Sequence, residues 1–265
     1  MKILYAAAEI SPFARMTHTA DLLRFLPASL QDKGFEIRLL LPKYGSINDR
    51  RNRLHEVIRL AGIKVNVAGK EESMRIKVAS IPNAKLQVYF LDNDTFYKRK
   101  GLFTDPKTEE FFPDNDQRLV FYNKGVLETV RKLGWKPDVI HCHDWASGLI
   151  PVFLKSIYKD DDNFSRARVV FNVHSATNHG IFDPSILDIM GLPDEFDRDS
   201  VIFDDGKVDF LKAGLKYADH VVTGNELGVE LDPVFEELGV TPDKIQGSPQ
   251  DVSSKFADYY NQITE

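Results

Sequence analysis

Apolar positions along this chain keep two alternating rhythms. The run "KILYAA" is short, with β-branched and aromatic content, and "TADLLRFLPASLQDKG" then sets Leu22, Leu23, Leu26 and Leu30 at helical spacing before stopping at Gly34. A second apolar run, "FEIRLLLPKYG", is terminated by Pro42 and Gly45. Strand, helix and strand at this spacing predict a βαβ unit with parallel strands and a right-handed crossover. Beyond Gly134 the rhythm returns: strands are predicted at "DVIHC", "RVVFNV" and "DHVVTG", and helices at "SGLIPVFLKSIY", near "SILDIMG", at "KVDFLKAGLKYA" and near "ELGVELDPVFEELG". The expected fold is α/β, a Rossmann-like, doubly wound and mainly parallel sheet.

Residues 57–91 break that rhythm. "IKVNVAG", "MRIKVAS" and "LQVYFLD" alternate apolar and polar positions across the turns "GKEES" and "IPNAK", which predicts a β-hairpin insertion. The aromatic and charged stretch "NDTFYKRKGLFTDPKTEEFFPDND" reads as a long surface loop, after which "DQRLVFYNKGVLETVRKLG" is a helix closing at Gly134. "TPDKIQGSPQD" is the nearest thing to a linker. It precedes "VSSKFADYYNQITE", where Val252, Phe256, Tyr259, Tyr260 and Ile263 form the apolar stripe of a final helix. The expected organisation is one domain over 1–240, then a linker and a terminal helix over 241–265 packing back on it.

Charge and composition narrow the classes of partner. Thirty-four basic against forty acidic residues give a net charge of -6, which opposes the counterion release that drives nucleic-acid binding. No segment has the apolar length to cross a membrane, and the start "MKILYAAAEI" runs straight into the fold pattern without a cleavage region, so the chain is read as cytoplasmic. The single cysteine, Cys142, can form no internal disulfide and no structural zinc site.

In an open α/β sheet, ligands bind beyond the carboxyl ends of the strands, where strand order reverses. Four predicted strands end in polar clusters: Arg15, Thr17, His18 and Thr19; His143 and Asp144; His174, Ser175, Asn178 and His179; and Thr223, Asn225 and Glu226. Asp144 is equally readable as a cap on the turn before "WASGLIPVF" or as a ligand contact. His141 and His143 share one face of a strand, but no third well-spaced histidine follows, so no metal or other cofactor is expected. His174 begins a loop after an almost wholly apolar strand, which favours a site residue. Cys142, flanked by apolar positions, reads as a small buried residue. Arg15 beside a helix start is electrostatically awkward without an anion, which points to an anion site.

Together these stretches resemble one family: the ADP-glucose-dependent bacterial glycogen synthases and starch synthases, glycosyltransferases of the GT-B type. "KILYAAAEISPFARMTHTADLLRFLPASLQDKGFEIRLLLPKYG" is similar to the family's amino-terminal signature, and "PDVIHCHDWASGLIPVFLK" to its histidine-aspartate-tryptophan segment. "VVFNVHSATNHGIFDPSILDIMGLP" resembles its histidine-asparagine loop, and "VDFLKAGLKYADHVVTGN" the end of its first domain. The resemblance covers about residues 1–230 and implies glucosyl transfer from ADP-glucose to an α-1,4-glucan. It places Asp144 and His174, the candidate catalytic residues, on the wall of the acceptor cleft, and Arg15 where a phosphate-contacting lysine stands. Thr17, His18, His143, Trp145, Ser175 and Asn178 join these three as expected substrate-binding positions.

The departures from the family pattern alter that expectation. The lysine, threonine, glycine, glycine run of the signature is Arg15, Met16, Thr17, His18 here, so side chains stand where bare backbone amides should approach phosphate. The histidine after "HDW" is Ala146, and the asparagine after His174 is Ser175. The resemblance stops before the family's donor-binding second domain, while the last helix looks like the one that crosses back from it, an expectation of a natural short form. The favoured reading is a protein inactive alone, a glucan-binding or regulatory pseudo-glycosyltransferase. The alternative is an active glucosyltransferase completed by a separate donor-binding chain. The face that a second domain would cover implies a protein partner or a homodimer; neither nucleic acid nor membrane is expected as a partner.

Overall fold

The computed structural model describes residues 1–265 apart from 83, 85, 204, 225, 226 and 228. The chain opens β1 (Lys2–Ala6), α1 (Thr19–Asp32), β2 (Glu36–Pro42), and then runs through β3 (His55–Glu56), β4 (Ile63–Val67), β5 (Lys70–Ser80) and β6 (Gln87–Asp92). A short α2 (Asp94–Tyr97) and the long α3 (Asn115–Leu133) lead to β7 (Val139–His143), α4 (Leu149–Lys155) and β8 (Arg168–Val173). The remainder comprises β9 (Ile181–Phe182), α5 (Ile186–Met190), β10 (Val208–Asp209), α6 (Phe210–Tyr217), β11 (His220–Thr223), α7 (Asp232–Leu238), β12 (Asp243–Lys244) and α8 (Pro249–Thr264).

The main sheet has the order β12-β11-β8-β7-β1-β2-β6-β5-β3, with β4 paired to β5. From β12 to β6 every pairing is parallel, and β5, β3 and β4 add antiparallel ladders at one edge. This is the doubly wound α/β fold expected, and the order reverses between β1 and β7, the place where such sheets hold ligands. Among the described residues no helix is long and apolar enough to cross a membrane.

Three local expectations need correction. "LQVYFLD" is more than a hairpin strand: β6 pairs antiparallel with β5, from Arg75↔Asp92 to Ser80↔Gln87, and also in parallel with β2, from Leu39↔Val88 to Pro42↔Leu91, so it joins the insertion to the main sheet. Its run Val88 to Asp92 is buried throughout, as a strand covered on both faces must be. The aromatic stretch after β6 is not a surface loop, since Phe96, Tyr97, Phe103 and Phe112 are buried, with Tyr97 donating to the Arg118 carbonyl at 2.7 Å. The segment read as a linker contributes β12, which extends the sheet beside β11.

Two features hold the ligand end of the sheet in place. The buried α3 carries Tyr122, whose hydroxyl lies 2.8 Å from the Ala7 carbonyl and 3.0 Å from that of Leu40, and Asn123, whose amide donates to Ala146 O at 2.9 Å. Helix α3 thus fixes the ends of β1 and β2 and the turn after β7 by buried hydrogen bonds, each costly to leave unmade. Gly148 then lets that turn meet α6 closely: a Cβ there would stand 1.9 Å from the Phe210 carbonyl oxygen.

Helix α8 starts with a capping box in which Ser248 and Asp251 each satisfy the other's backbone amide. Its buried face, Val252, Ser253, Phe256 and Tyr260, packs on the core, and Ser253 Oγ meets Ser29 Oγ of α1 at 2.7 Å. Burying an aromatic such as Phe256 stabilises this contact by about 2 kcal/mol.

Candidate functional site

A cavity of about 260 Å³ opens at the carboxyl ends of β1 and β7. Ala7, Ala8, Phe103 and Trp145 make its apolar wall, and Glu9, Thr17, Asp144, Ser175, Thr177 and His179 bring polar groups to it. The wall is packed rather than loose: the Phe103 and Trp145 rings lie 4.7 Å apart, and Trp145 meets His179 edge-on at 5.9 Å. An apolar wall with convergent polar groups suits a ligand with a carbon face and many hydroxyls.

The loop after β1 closes on itself through Glu9. This carboxylate is buried; its Oε2 accepts from the amides of Met16 at 2.5 Å and Thr17 at 2.8 Å, and its Oε1 accepts from Thr17 Oγ1 at 2.5 Å. Thr17 Oγ1 in turn accepts from the Thr19 amide at 3.1 Å, satisfying one free donor of the α1 amino terminus. The amides that would form an anion cradle in this loop already serve an internal anion.

Asp144 holds the opposite wall. Its backbone has φ 54°, a left-handed conformation that costs a non-glycine residue roughly 1–2 kcal/mol and is kept where surrounding contacts enforce it. The enforcing contact is visible: Asp144 Oδ1 accepts from the His174 amide at 2.8 Å, joining the ends of β7 and β8. The carboxylate does not cap the turn that follows; the Asp144 carbonyl does so, accepting from the Ser147 amide at 3.1 Å. Burial raises the Asp144 carboxyl above the usual range, and His174 partly opposes that rise.

Beneath Asp144 lies a buried polar ladder. His174 Nε2 and His143 Nδ1 are 2.9 Å apart with their rings 9° from parallel, so one nitrogen carries the shared proton and the other accepts it. The His143 ring sits 4.2 Å from that of His141, whose Nδ1 lies 2.5 Å from the Tyr260 hydroxyl, itself 2.8 Å from that of Tyr5. Burial pushes both His141 and His143 well below the ordinary histidine value, so both are neutral. Among the described residues their Nε2 atoms have no hydrogen-bond partner, and no three His, Cys, Asp or Glu side chains converge as metal ligands. Cys142 between them is buried, which pushes its thiol well above the ordinary value and leaves it protonated and unreactive.

Of the residues singled out in the sequence, Thr17, Thr19, His143, Asp144, Trp145, Ser175 and His179 line this cavity. His18 and His174 face neighbouring hollows on the α8 side and above α1. Arg15 points away and pairs with Asp21 at 2.8 Å on the surface. Asn178 braces its own loop, donating to Asp209 at 2.8 Å and accepting from the Gly180 amide at 2.8 Å. Thr223 is buried at the end of β11, while Asn225 and Glu226 lie outside the described residues. Sequence reading passed over Glu9, Phe103 and Thr177. An acid three residues past a strand end was the available signal for Glu9; Phe103 carried none.

Comparison with known proteins gives this geometry its family. Residues 2–226 match the family described as the starch synthase catalytic domain. The glycogen synthase of Chlorobium limicola is 42% identical over 227 residues, covering 85% of this chain and 46% of that protein. That of Chlorobaculum tepidum is 40% identical over 234 residues, with 85% and 46% covered. The solved catalytic domain of starch synthase IV from Arabidopsis thaliana, bound to ADP and acarbose, superposes with a TM-score of 0.77 at 22% identity, covering 92% of this chain and 51% of that one. At that identity the likeness is one of fold, a GT-B glycosyltransferase domain, and the chain spans about half the length of the curated relatives it matches. The chain therefore belongs to the starch synthase catalytic domain family, alongside these bacterial glycogen synthases.

Proposed function

We propose that this protein binds the non-reducing end of an α-1,4-glucan in the cavity between β1 and β7, acts in glycan metabolism as a binding or regulatory member of its family, and transfers no glucose by itself. One observation carries this reading. The cavity presents two carboxylates, Glu9 and Asp144, and neither lysine nor arginine among the described residues that line it.

Glucosyl transfer from a sugar nucleotide must stabilise a departing diphosphate by fixed positive charge or free amides. Here the diphosphate would meet the buried acid Glu9 and the half-buried Asp144, the bulk of Met16, Thr17 and His18, and amides of Met16 and Thr17 already bonded to Glu9. A neutral sugar meets none of these obstacles: its hydroxyls donate to the carboxylates and to Thr177, and its carbon face lies on Trp145.

A second reading, an active glucosyltransferase completed by a separate donor-binding chain, is favoured by the strained Asp144 backbone, since such strain clusters at active sites. Release of ADP from ADP-glucose with glycogen as acceptor separates the two. On the first reading none is released above a buffer blank, with or without a donor-binding chain present; on the second, ADP appears when that chain is added. Turnover that vanishes in Asp144→Asn would establish the second.

A further inference from the structure

On the face of the domain where β5 and β6 meet the loop after β2 lies an open groove of about 740 Å³, separate from the glucan cavity. Phe13, Ile81 and Pro82 form its floor, and Arg51, Arg53 and His55 stand along one side. Among the described residues no acidic one lines it, on a chain whose net charge is -6. Arg51 and Arg53 are exposed, and neither guanidinium has an ion-pair or hydrogen-bond partner among the described residues.

The loop that carries these arginines is built to hold them. Asp49 at its base is gripped by Lys43 at 2.8 Å and by Lys77 at 2.6 Å, and Lys77 also pairs with Asp92 at 2.9 Å. Asn48 Oδ1 accepts from the Arg51 amide at 2.8 Å, the Asn52 side chain donates to the Asn48 carbonyl at 2.8 Å, and His55 is fixed opposite Val78 by the β3–β5 ladder. Arg53 itself sits at φ 52°, where glycine or asparagine would be at ease and a long side chain is strained. The local acid is thus spent on the lysines, and the arginines are left unpartnered on a braced backbone.

We propose that this groove is a second ligand site, specific for a small phosphorylated sugar. Planar guanidinium forks match phosphate oxygens in pairs, the apolar floor takes the carbon face of a sugar ring, and Ser80 and Gln87 on the wall offer partners for hydroxyls. The site stands independently of the glucan reading and shares no lining residue with the first cavity.

Isothermal titration with fructose 1,6-bisphosphate tests it, with glucose and inorganic phosphate as controls. Saturable binding is expected at a Kd below about 1 mM in low salt, with weaker binding at about 0.2 M salt as exposed charges are screened. Arg51→Ala is expected to weaken binding about tenfold, as loss of one charge-assisted pair does. Arg53→Gly is expected to do the same while holding or raising the melting temperature, because glycine relieves the left-handed strain. Asp144→Asn is expected to leave the titration unchanged. No saturation at about 10 mM, binding undiminished in both arginine variants, or equal binding of glucose or of phosphate alone would overturn the proposal.

Discussion

Lowering the pH from 7.5 to 5.5 should destabilise this protein steeply, for a reason that lies under Asp144. His141 and His143 are 0% and 2% exposed and neutral, with burial the largest cause of their depressed values. In the unfolded chain both regain a value near 6.5, so below that pH the unfolded state binds more protons than the folded one. Stability is then full above about pH 6.5 and falls as pH drops, by about 1.4 kcal/mol per pH unit for each histidine. For the two together the loss between about pH 6.5 and 5.5 is about 2 kcal/mol, and the slope approaches its limit of about 2.7 kcal/mol per unit only below that. Asp144 works in the opposite direction, because its raised carboxyl takes up a proton earlier in the folded state, and it trims this slope only as its own range is approached. Carboxylates held low by their partners, such as Asp49, Asp94 and Asp161, lose their contribution only below about pH 4, outside the window. Urea unfolding at pH 7.5, 6.5, 6.0 and 5.5 measures the slope, and His141→Leu should roughly halve it. A flat profile from 6.5 to 5.5, or an unchanged slope in His141→Leu, would refute the burial of neutral histidines.

Two further substitutions probe the elements that support the cavity. Tyr260→Phe removes the hydroxyl that lies 2.8 Å from Tyr5 and 2.5 Å from His141, leaving two buried polar groups unpartnered; a loss of about 2–4 kcal/mol is expected in chemical denaturation, and a change under about 0.5 kcal/mol would detach α8 from the core. Gly148→Ala places a methyl 1.9 Å from the Phe210 carbonyl, a backbone atom that cannot rotate away. It is expected to cost at least about 1–3 kcal/mol and to shift Trp145 fluorescence as the turn moves; wild-type stability would show that the turn has slack.

Local pattern carried most of the fold. Alternation and helical spacing located the parallel strands and their helices because each element's apolar face is written within its own residues. Pairing on a second edge left no local signal in β6: "LQVYFLD" reads as a hairpin strand, which its pairing with β5 bears out, but its parallel partner β2 lies far earlier in the chain, with Leu39 opposite Val88, and is not written in its own residues. Phe103 was hidden for a similar reason, since its place on the cavity wall depends on the Trp145 ring, 42 residues away in sequence and 4.7 Å away in space. At the site, the loss of glycines after β1 was legible, as was the clustering of His143, Asp144 and Trp145 at a strand end. Two facts were not: that Arg15 turns outward to Asp21, and that Glu9 turns inward to occupy its own loop's amides. Both are choices of rotamer and tertiary partner, which a strand-and-helix reading does not specify.

The central claim is that the cavity between β1 and β7 accepts a neutral glucan and rejects a diphosphate. Parallel calorimetric titrations of the wild-type protein with maltohexaose and with ADP-glucose address it most directly. Saturable heats are expected for maltohexaose, weakened in Asp144→Asn, with none for ADP-glucose up to about 5 mM. Tighter binding of ADP-glucose than of maltohexaose, lost on substitution at Asp144, would contradict it.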